Sequence, residues 1–369
     1  MSGYLDHAAT TPLRPEARAA MEPFLGERFG NPSGAHAVAR DARAGVEDAR
    51  EQVAAVLGCR PHEVVFTSGG TEADNLAILG AVRRHGGEPV TVATEHHAVL
   101  HPVEHLGGRV VGVDATGRVD LDQLADALDE RTRLVSVMAA NNEAGTVHDL
   151  AAVAAVVRER APQAWLHTDA VQGACWLDLR GIDVDLVSLS AHKFGGPKGV
   201  GVLTIREGIT LEPLWYGGGQ ERERRSGTHA VASIAGLGAA LAAAAAQRDA
   251  TNERVAALRD RLVDGLLAIG GVHETVPRPL KVPGSAHVCI EGVDSESLLF
   301  LLERAGVSAS AASSCASGAL EPSHVLSAMG VPKEWSAGAL RLSLGWCSTD
   351  ADVDLALDVV PPAVAQLRR

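Results

Sequence analysis

Ser190-Ala-His-Lys-Phe-Gly-Gly-Pro-Lys-Gly-Val-Gly201 follows the aliphatic run Val184-Asp-Leu-Val-Ser-Leu-Ser190 and breaks it with a glycine and proline turn. A β-branched and leucine-rich run ending at such a turn reads as a buried strand, which sets Lys193 at its carboxyl end. In open α/β sheets ligands bind at that end. The chain has only four lysines, at 193, 198, 281 and 333, and otherwise carries its positive charge on arginine. An amine that attacks a carbonyl must first shed its proton; lysine can do so, whereas a guanidinium stays charged. A solvated lysine on a surface turn is the plain alternative, and the neighbouring motifs decide against it.

Working outward, β-rich runs recur at Val64–Thr67, Val90–Ala93, Arg109–Val113, Leu134–Met138, Trp165–His167, Val184–Ser190 and Gly201–Ile205. Helical patterns separate them at Ala37–Leu57, Glu72–Arg84, Leu121–Leu128 and Leu150–Arg160. This alternation predicts an α/β fold with a seven-stranded, mostly parallel sheet flanked by helices. From Thr228 to Ile269 the chain becomes rich in Ala, Leu and Arg, which predicts long helices. Beyond them, apolar runs at His287–Ile290 and Leu340–Leu344 and helices near Ser295–Ala305 and Asp350–Leu367 predict a smaller α+β domain. The expected division is a large domain over 15–255 and a small one formed by 1–14 and 256–369.

The 369 residues carry a formal charge of −13 and are 46 % hydrophobic. Net negative charge argues against a nucleic-acid backbone or an anionic membrane as direct partner, since both need basic patches. The start of the chain lacks a basic, then apolar, secretory signal, and no run of about 18 apolar residues marks a membrane span. Five cysteines, at 59, 175, 289, 315 and 347, show no C-x-x-C spacing. That usage suits reduced thiols in the cytoplasm.

Three elements point to one cofactor. Thr67-Ser-Gly-Gly-Thr-Glu-Ala-Asp-Asn75 joins a strand to a helix through two glycines and leaves N–H groups and the Thr71 hydroxyl at a helix start, a place suited to phosphate. Asp169 ends the run Leu166-His-Thr-Asp169, where burial demands a cationic or N–H partner; the other reading of this residue is a helix cap. Lys193, Asp169 and a phosphate-ready helix start are together what pyridoxal 5′-phosphate requires.

Tyr4-Leu-Asp-His-Ala-Ala-Thr-Thr-Pro12, Gly30-Asn-Pro-Ser33, Phe66-Thr-Ser-Gly-Gly-Thr-Glu72, Thr94-Glu-His-His97, Asn141-Asn-Glu143, Ser190-Ala-His-Lys193, Arg225-Ser-Gly-Thr228 and Leu320-Glu-Pro-Ser-His-Val-Leu326 resemble, in order and from end to end, the cysteine desulfurases. These are NifS/IscS-like members of the class V aminotransferase superfamily with the fold-type I architecture. The resemblance implies that Lys193 bonds to the cofactor aldehyde, Asp169 holds the ring nitrogen protonated and His96 stacks on the ring. Asn142 and Gln172 would lie near its phenolic oxygen and the substrate. Gly70, Thr71, Ser190 and His192 would hold the phosphate, with Thr228 reaching it from the partner of a homodimer. Arg341 would clamp the carboxylate of L-cysteine.

The small-residue stretch Ser308–Ala319 carries Cys315, where the family places its persulfide-forming thiol, and a mobile loop there would suit delivery to a sulfur-acceptor protein, a scaffold or a thiolation enzyme. A class V aminotransferase, or a lyase acting on selenocysteine or another C–S bond, shares the fold without needing that thiol. His97, His101 and His105 recur at i, i+4, i+8, a spacing that could hold zinc. No Cys or carboxylate completes the set, so these histidines read as a helix face and no metal is expected.

Overall fold

A computed structural model describes residues 3–311 and 323–369. Strands are numbered β1 (Gly3–Tyr4), β2 (Val64–Thr67), β3 (Glu88–Val92), β4 (Arg109–Val111), β5 (Thr132–Ser136), β6 (Trp165–Asp169), β7 (Leu186–Ser190), β8 (Gly201–Ile205), β9 (Val272–Glu274), β10 (Ser285–Ile290), β11 (Val307–Ser308) and β12 (Ala339–Ser343). The main sheet has seven strands in the order β2-β8-β7-β6-β5-β3-β4. From β7 to β4 all neighbours are parallel, and β8 runs antiparallel to both β7 and β2.

These strands are buried at nearly every position because both faces are covered. Side chains alternate across a strand, so Val64 and Phe66 enter one core while Val65 enters the other; Val135 and Leu134, and Val202 and Leu203, divide in the same way. The helices Gly70–His85 and His97–His105 cover the second face, and Ala37–Leu57, Leu150–Arg160 and Val231–Ala246 cover the first. Val231–Ala246 is rich in Ala and Gly, 11 of its 16 residues, which allows close approach: a Cβ on Gly238 would stand 2.9 Å from the Ala49 Cα.

The long helical stretch expected to Ile269 is two helices, Val231–Ala246 and Arg248–Leu267, bent by 72° at Gln247. No single helix among the described residues is long and apolar enough to cross a membrane. After the bend the chain builds a separate core, where Leu258, Leu262 and Leu266 meet Val288, Leu340, Val353 and Val360. Here β10 lies between β9 and β12, antiparallel to each, with His287 opposite Arg341. The N-terminus returns to this core: β1 pairs in parallel with β11, and Leu5 is fully buried. Residues 6–14 then cross from this core to the carboxyl edge of the main sheet.

Sequence reading left several elements unassigned, among them the helix Pro15–Leu25 and the short strands β1, β9 and β11. Their two- or three-residue strands carry too little periodicity to be recognised without their partners.

Candidate active site

Three adjacent connections at the sheet's carboxyl edge create the site. β6 ends at Asp169, β7 ends at Ser190 and turns through Ala191–Lys193, and β2 runs through Gly69 into the helix Gly70–His85. The chain needs glycine where β2 leaves the sheet. A Cβ on Gly201 would lie 2.6 Å from the Gly69 carbonyl carbon, and one on Gly70 would lie 2.7 Å from a Val171 methyl.

A cleft of about 360 Å³ collects ten of the expected residues: Gly70, Thr71, His96, Asn142, Asp169, Gln172, Ser190, His192, Lys193 and Arg341. Lys193 Nζ donates to the Ala8 carbonyl at 2.5 Å and to the Ala9 carbonyl at 3.0 Å. Burial lowers this amine from the ordinary 10.5 to about 8, with the Arg341 charge acting in the same direction and Asp169 and Asp6 opposing. Asp169 is buried and accepts a bond from the Val171 N–H at 2.8 Å; it caps a turn, not a helix. Burial raises its carboxyl to about 6, although the Val171 N–H and the Lys193 charge pull it down.

His96 caps the helix His97–His105 by accepting from the Ala98 N–H at 3.1 Å, which fixes its ring at the cleft wall. Burial and the Lys193 charge hold the imidazole at about 4, so it is neutral near pH 7. His192 is likewise lowered to about 4, by burial and the Lys193 and Lys198 charges, and its Nδ1 lies 3.1 Å from the Thr10 hydroxyl. Gln172 donates to the Ala8 carbonyl at 2.7 Å. Arg341, on β12, donates to the Asn142 carbonyl and to Asp6 Oδ1, each at 2.8 Å.

Two expected residues are not in this cleft. Thr228 is exposed and lines a different depression of about 280 Å³ beside Phe24, Arg28 and Phe29. Cys315 lies outside the described residues. The four cysteines within them, Cys59, Cys175, Cys289 and Cys347, are free thiols, all raised chiefly by burial, to about 12 for Cys175 and about 11 for Cys59. Such thiols are poor nucleophiles. Two histidines of the spaced set join a ring cluster: His97 stacks on His101 at 4.7 Å between centroids and meets His324 at 4.6 Å.

Sequence reasoning missed the strap of residues 6–14 as a wall of the site, along with two buried acids. Asp74 lines the cleft with Oδ1 lacking a hydrogen-bond partner among the described residues and 3.6 Å from His167 Nε2, and burial and then Asp169 push its carboxyl up. Glu95, raised by burial and by Asp169, accepts from the Met138 N–H at 2.6 Å. Asp74 follows Thr71 by one helical turn and Glu95 precedes His96, so both stood inside quoted motifs. Only the register of helix on sheet points them inward.

The residues present fit pyridoxal phosphate. A buried carboxylate with, among the described residues, one backbone N–H as its hydrogen-bond donor suits a ring N–H, a partly desolvated lysine suits an aldehyde, and the Gly70–Thr71 helix start beside Ser190 and His192 suits a phosphate. Asn142 Oδ1 is buried without a partner among the described residues and can accept from a bound group.

The aminotransferase class-V family model matches residues 3–356. A cysteine desulfurase of Gluconacetobacter diazotrophicus is 47 % identical over 377 residues, covering 99 % of this chain and 94 % of the relative. A solved structure named NifS-like protein superposes with a TM-score of 0.93 at 36 % identity, covering 99 % of this chain and all of that one. Another, SspA in complex with cysteine, gives a TM-score of 0.80 at 31 % identity, covering 94 % of this chain and all of the other.

Proposed function

The chain belongs to the class-V aminotransferase family and is a pyridoxal-phosphate-dependent cysteine desulfurase; from that premise we propose how its residues divide the work. The observation that carries the assignment is the convergence of Lys193, Asp169 and the Gly70–Thr71 helix start on one cleft that also receives Arg341.

Lys193 would bond to the cofactor, Asp169 would pair with its ring nitrogen and His96 would cover the ring as a neutral imidazole. Gly70, Thr71, Ser190 and His192 would hold the phosphate, and Asn142 and Gln172 would serve the phenolic oxygen and the substrate. When bound, pyridoxal phosphate supplies an electron sink conjugated to the substrate Cα. Arg341 binds the carboxylate of L-cysteine, a geometry that suits a planar guanidinium better than an ammonium. Lys193 Nζ, set free when the substrate amine takes its place and lowered toward neutrality, takes the Cα proton.

The sulfur step assigns Cys315. Its thiolate forms a bond to the substrate sulfur as the Cβ–S bond breaks; the electron pair stays with carbon, which is protonated, so L-alanine leaves and Cys315 keeps the sulfur as a persulfide. The persulfide then passes to an acceptor protein of iron–sulfur assembly or another sulfur pathway, a role set in the cytoplasm. A homodimer is part of the reading: Thr228 is exposed away from its own cleft and sits beside Phe29, itself 76 % exposed, as a residue serving a partner subunit would be. The two cores support a large domain over 15–255 and a small one from 1–14 and 256–369.

The test is incubation of the reconstituted protein with L-cysteine, with alanine quantified and the Cys315 peptide examined for the added mass of one sulfur. Cys315→Ala should abolish sulfur retention and leave the cofactor's absorbance in place. Sustained desulfuration in that variant would remove Cys315 from the role. Keto-acid production in place of alanine would favour the aminotransferase reading.

A further inference from the structure

Arg341 reaches the cleft with two of its hydrogens already committed. Nη1 donates to the Asn142 carbonyl and Nη2 to Asp6 Oδ1, both at 2.8 Å, whereas Nε is buried with no partner among the described residues. The guanidinium is therefore held at both terminal nitrogens and retains free donors, among them a desolvated N–H. An unpaired buried donor is costly, and a bidentate anion is the ligand that relieves it best.

Asp6 is itself held firmly. Leu5, before it, is fully buried, and its carbonyl accepts from the Ser343 N–H at 2.7 Å. His7, after it, donates from its backbone to the Ser343 carbonyl at 3.2 Å, and Ala8 donates to the Ser343 hydroxyl at 2.8 Å. The Tyr4 hydroxyl donates to the Asp6 carbonyl at 3.1 Å. The carboxylate thus projects from a segment laced to β12, the strand that carries Arg341, two residues from Ser343. Side-chain exposure is 8 % for Arg341 and 22 % for Asp6, so water screens the pair only in part.

We propose that Asp6 is the positioning residue of the carboxylate clamp: it holds the Arg341 guanidinium so that its free hydrogens meet the substrate carboxylate without reorganisation. This rests on the reading that Arg341 binds that carboxylate. A long side chain released from one of two anchors must be ordered again at each binding event, and that cost appears in substrate affinity before it appears in the chemical step. Asp6 also partly neutralises Arg341, so its charge and its geometry act in opposite directions on an incoming anion. Asn at this position keeps an oxygen acceptor without the charge; Ala removes both.

The experiment compares Asp6→Ala, Asp6→Asn, Asp6→Glu and Arg341→Ala in the reconstituted enzyme. Readouts are KM and kcat for L-cysteine, and the affinity for L-alanine followed by the change in cofactor absorbance. Asp6→Ala should raise KM by about three- to ten-fold and weaken alanine binding by a similar factor, with a smaller change in kcat. Asp6→Asn should do so by less, because the acceptor remains, and Asp6→Glu should restore part of the loss. If Asp6→Ala does not fold, Asp6→Asn carries the comparison. An unchanged or lowered KM in the Asp6 variants beside a raised KM in Arg341→Ala overturns the positioning role while leaving the clamp intact. An unchanged KM in Arg341→Ala removes the clamp reading, and the role of Asp6 with it.

Discussion

Lys193 Nζ donates a 2.5 Å hydrogen bond to the carbonyl oxygen of Ala8, 185 residues earlier in the chain. The N-terminal strap and the lysine turn of the main sheet thus meet at the reacting amine. Neighbouring contacts tie the same strap to Gln172, His192 and Arg341. The proposed catalytic groups on the main sheet and the proposed substrate-binding Arg341 on β12 share one short segment as their common wall.

In the cofactor-free protein, capture of an aldehyde by Lys193 should rise with pH through about 8, below the ordinary 10.5. The measurement is borohydride trapping followed by peptide mapping across pH. The sign for stability follows from the same shift: between about 8 and 10.5 the unfolded chain binds the extra proton. The wild type should therefore gain stability relative to Lys193→Met as pH rises through that window. Labelling that does not respond between pH 7 and 9 would contradict the desolvated amine.

Arg50 and Glu221 form a buried pair at 2.9 Å, and Glu221 also accepts from His229 and from the Phe66 N–H. Burial alone would raise the Glu221 carboxyl, but the His229 and Arg50 bonds outweigh it and hold it at about 2. A depressed carboxyl gives stability that is complete above the unfolded value near 4.5 and lost as pH falls toward 2. Arg50→Ala should cost about 3–5 kcal/mol at neutral pH, because it leaves a buried charge unpaired, and should flatten the acid limb of the denaturation curve.

Glu221, Arg222 and Glu223 are consecutive residues in the left-handed region, with φ of 49°, 56° and 64°. Glu221 holds its place through the Arg50 pair, whereas Glu223 is exposed. Relief of the Cβ strain should exceed the entropy that glycine adds to the unfolded chain, so Glu223→Gly should stabilise the protein by up to about 1 kcal/mol. Thermal denaturation decides it, and a lowered Tm would show that the Glu223 side chain contributes more than its backbone costs.

Gly201 packs its Cα against the turn that begins the phosphate-facing helix. Gly201→Ala puts a methyl 2.6 Å from both the Gly69 carbonyl carbon and the Leu189 carbonyl oxygen, which forces backbone apart. We expect a loss of about 1–3 kcal/mol in stability together with weaker cofactor binding on reconstitution. The same substitution at Gly86, where no atom lies within 4 Å, should not affect the cofactor.

Much of the fold was legible in the chain. The helices Ala37–Leu57 and Leu150–Arg160 and the strands Val64–Thr67 and Gly201–Ile205 run where their patterns predict. Long amphipathic helices and doubly buried strands impose periodicity on many residues at once. The break at Gln247 was not legible, because neither Gly nor Pro marks it and the helices on its two sides pack in two different cores. In the cleft, Lys193 and Asp169 announced themselves by residue type at a strand end and Arg341 through the family resemblance, whereas Asp6, Asp74 and the Ala8 and Ala9 carbonyls did not. A backbone carbonyl has no side-chain signature, and an acid's burial depends on what folds over it.

By itself the sequence determined which groups could do the chemistry: an amine able to deprotonate, a carboxylate at a strand end and a glycine turn before a helix. Those are properties of single residues and of local backbone. Only the tertiary structure decided their company, placing Asp6 on Arg341, the Ala8 carbonyl on Lys193 and Asp74 beside Asp169. The reason is that electrostatic and hydrogen-bond partners lie up to 335 positions apart in the chain, and distance and burial, the two quantities that set their strength, exist only once both cores have closed.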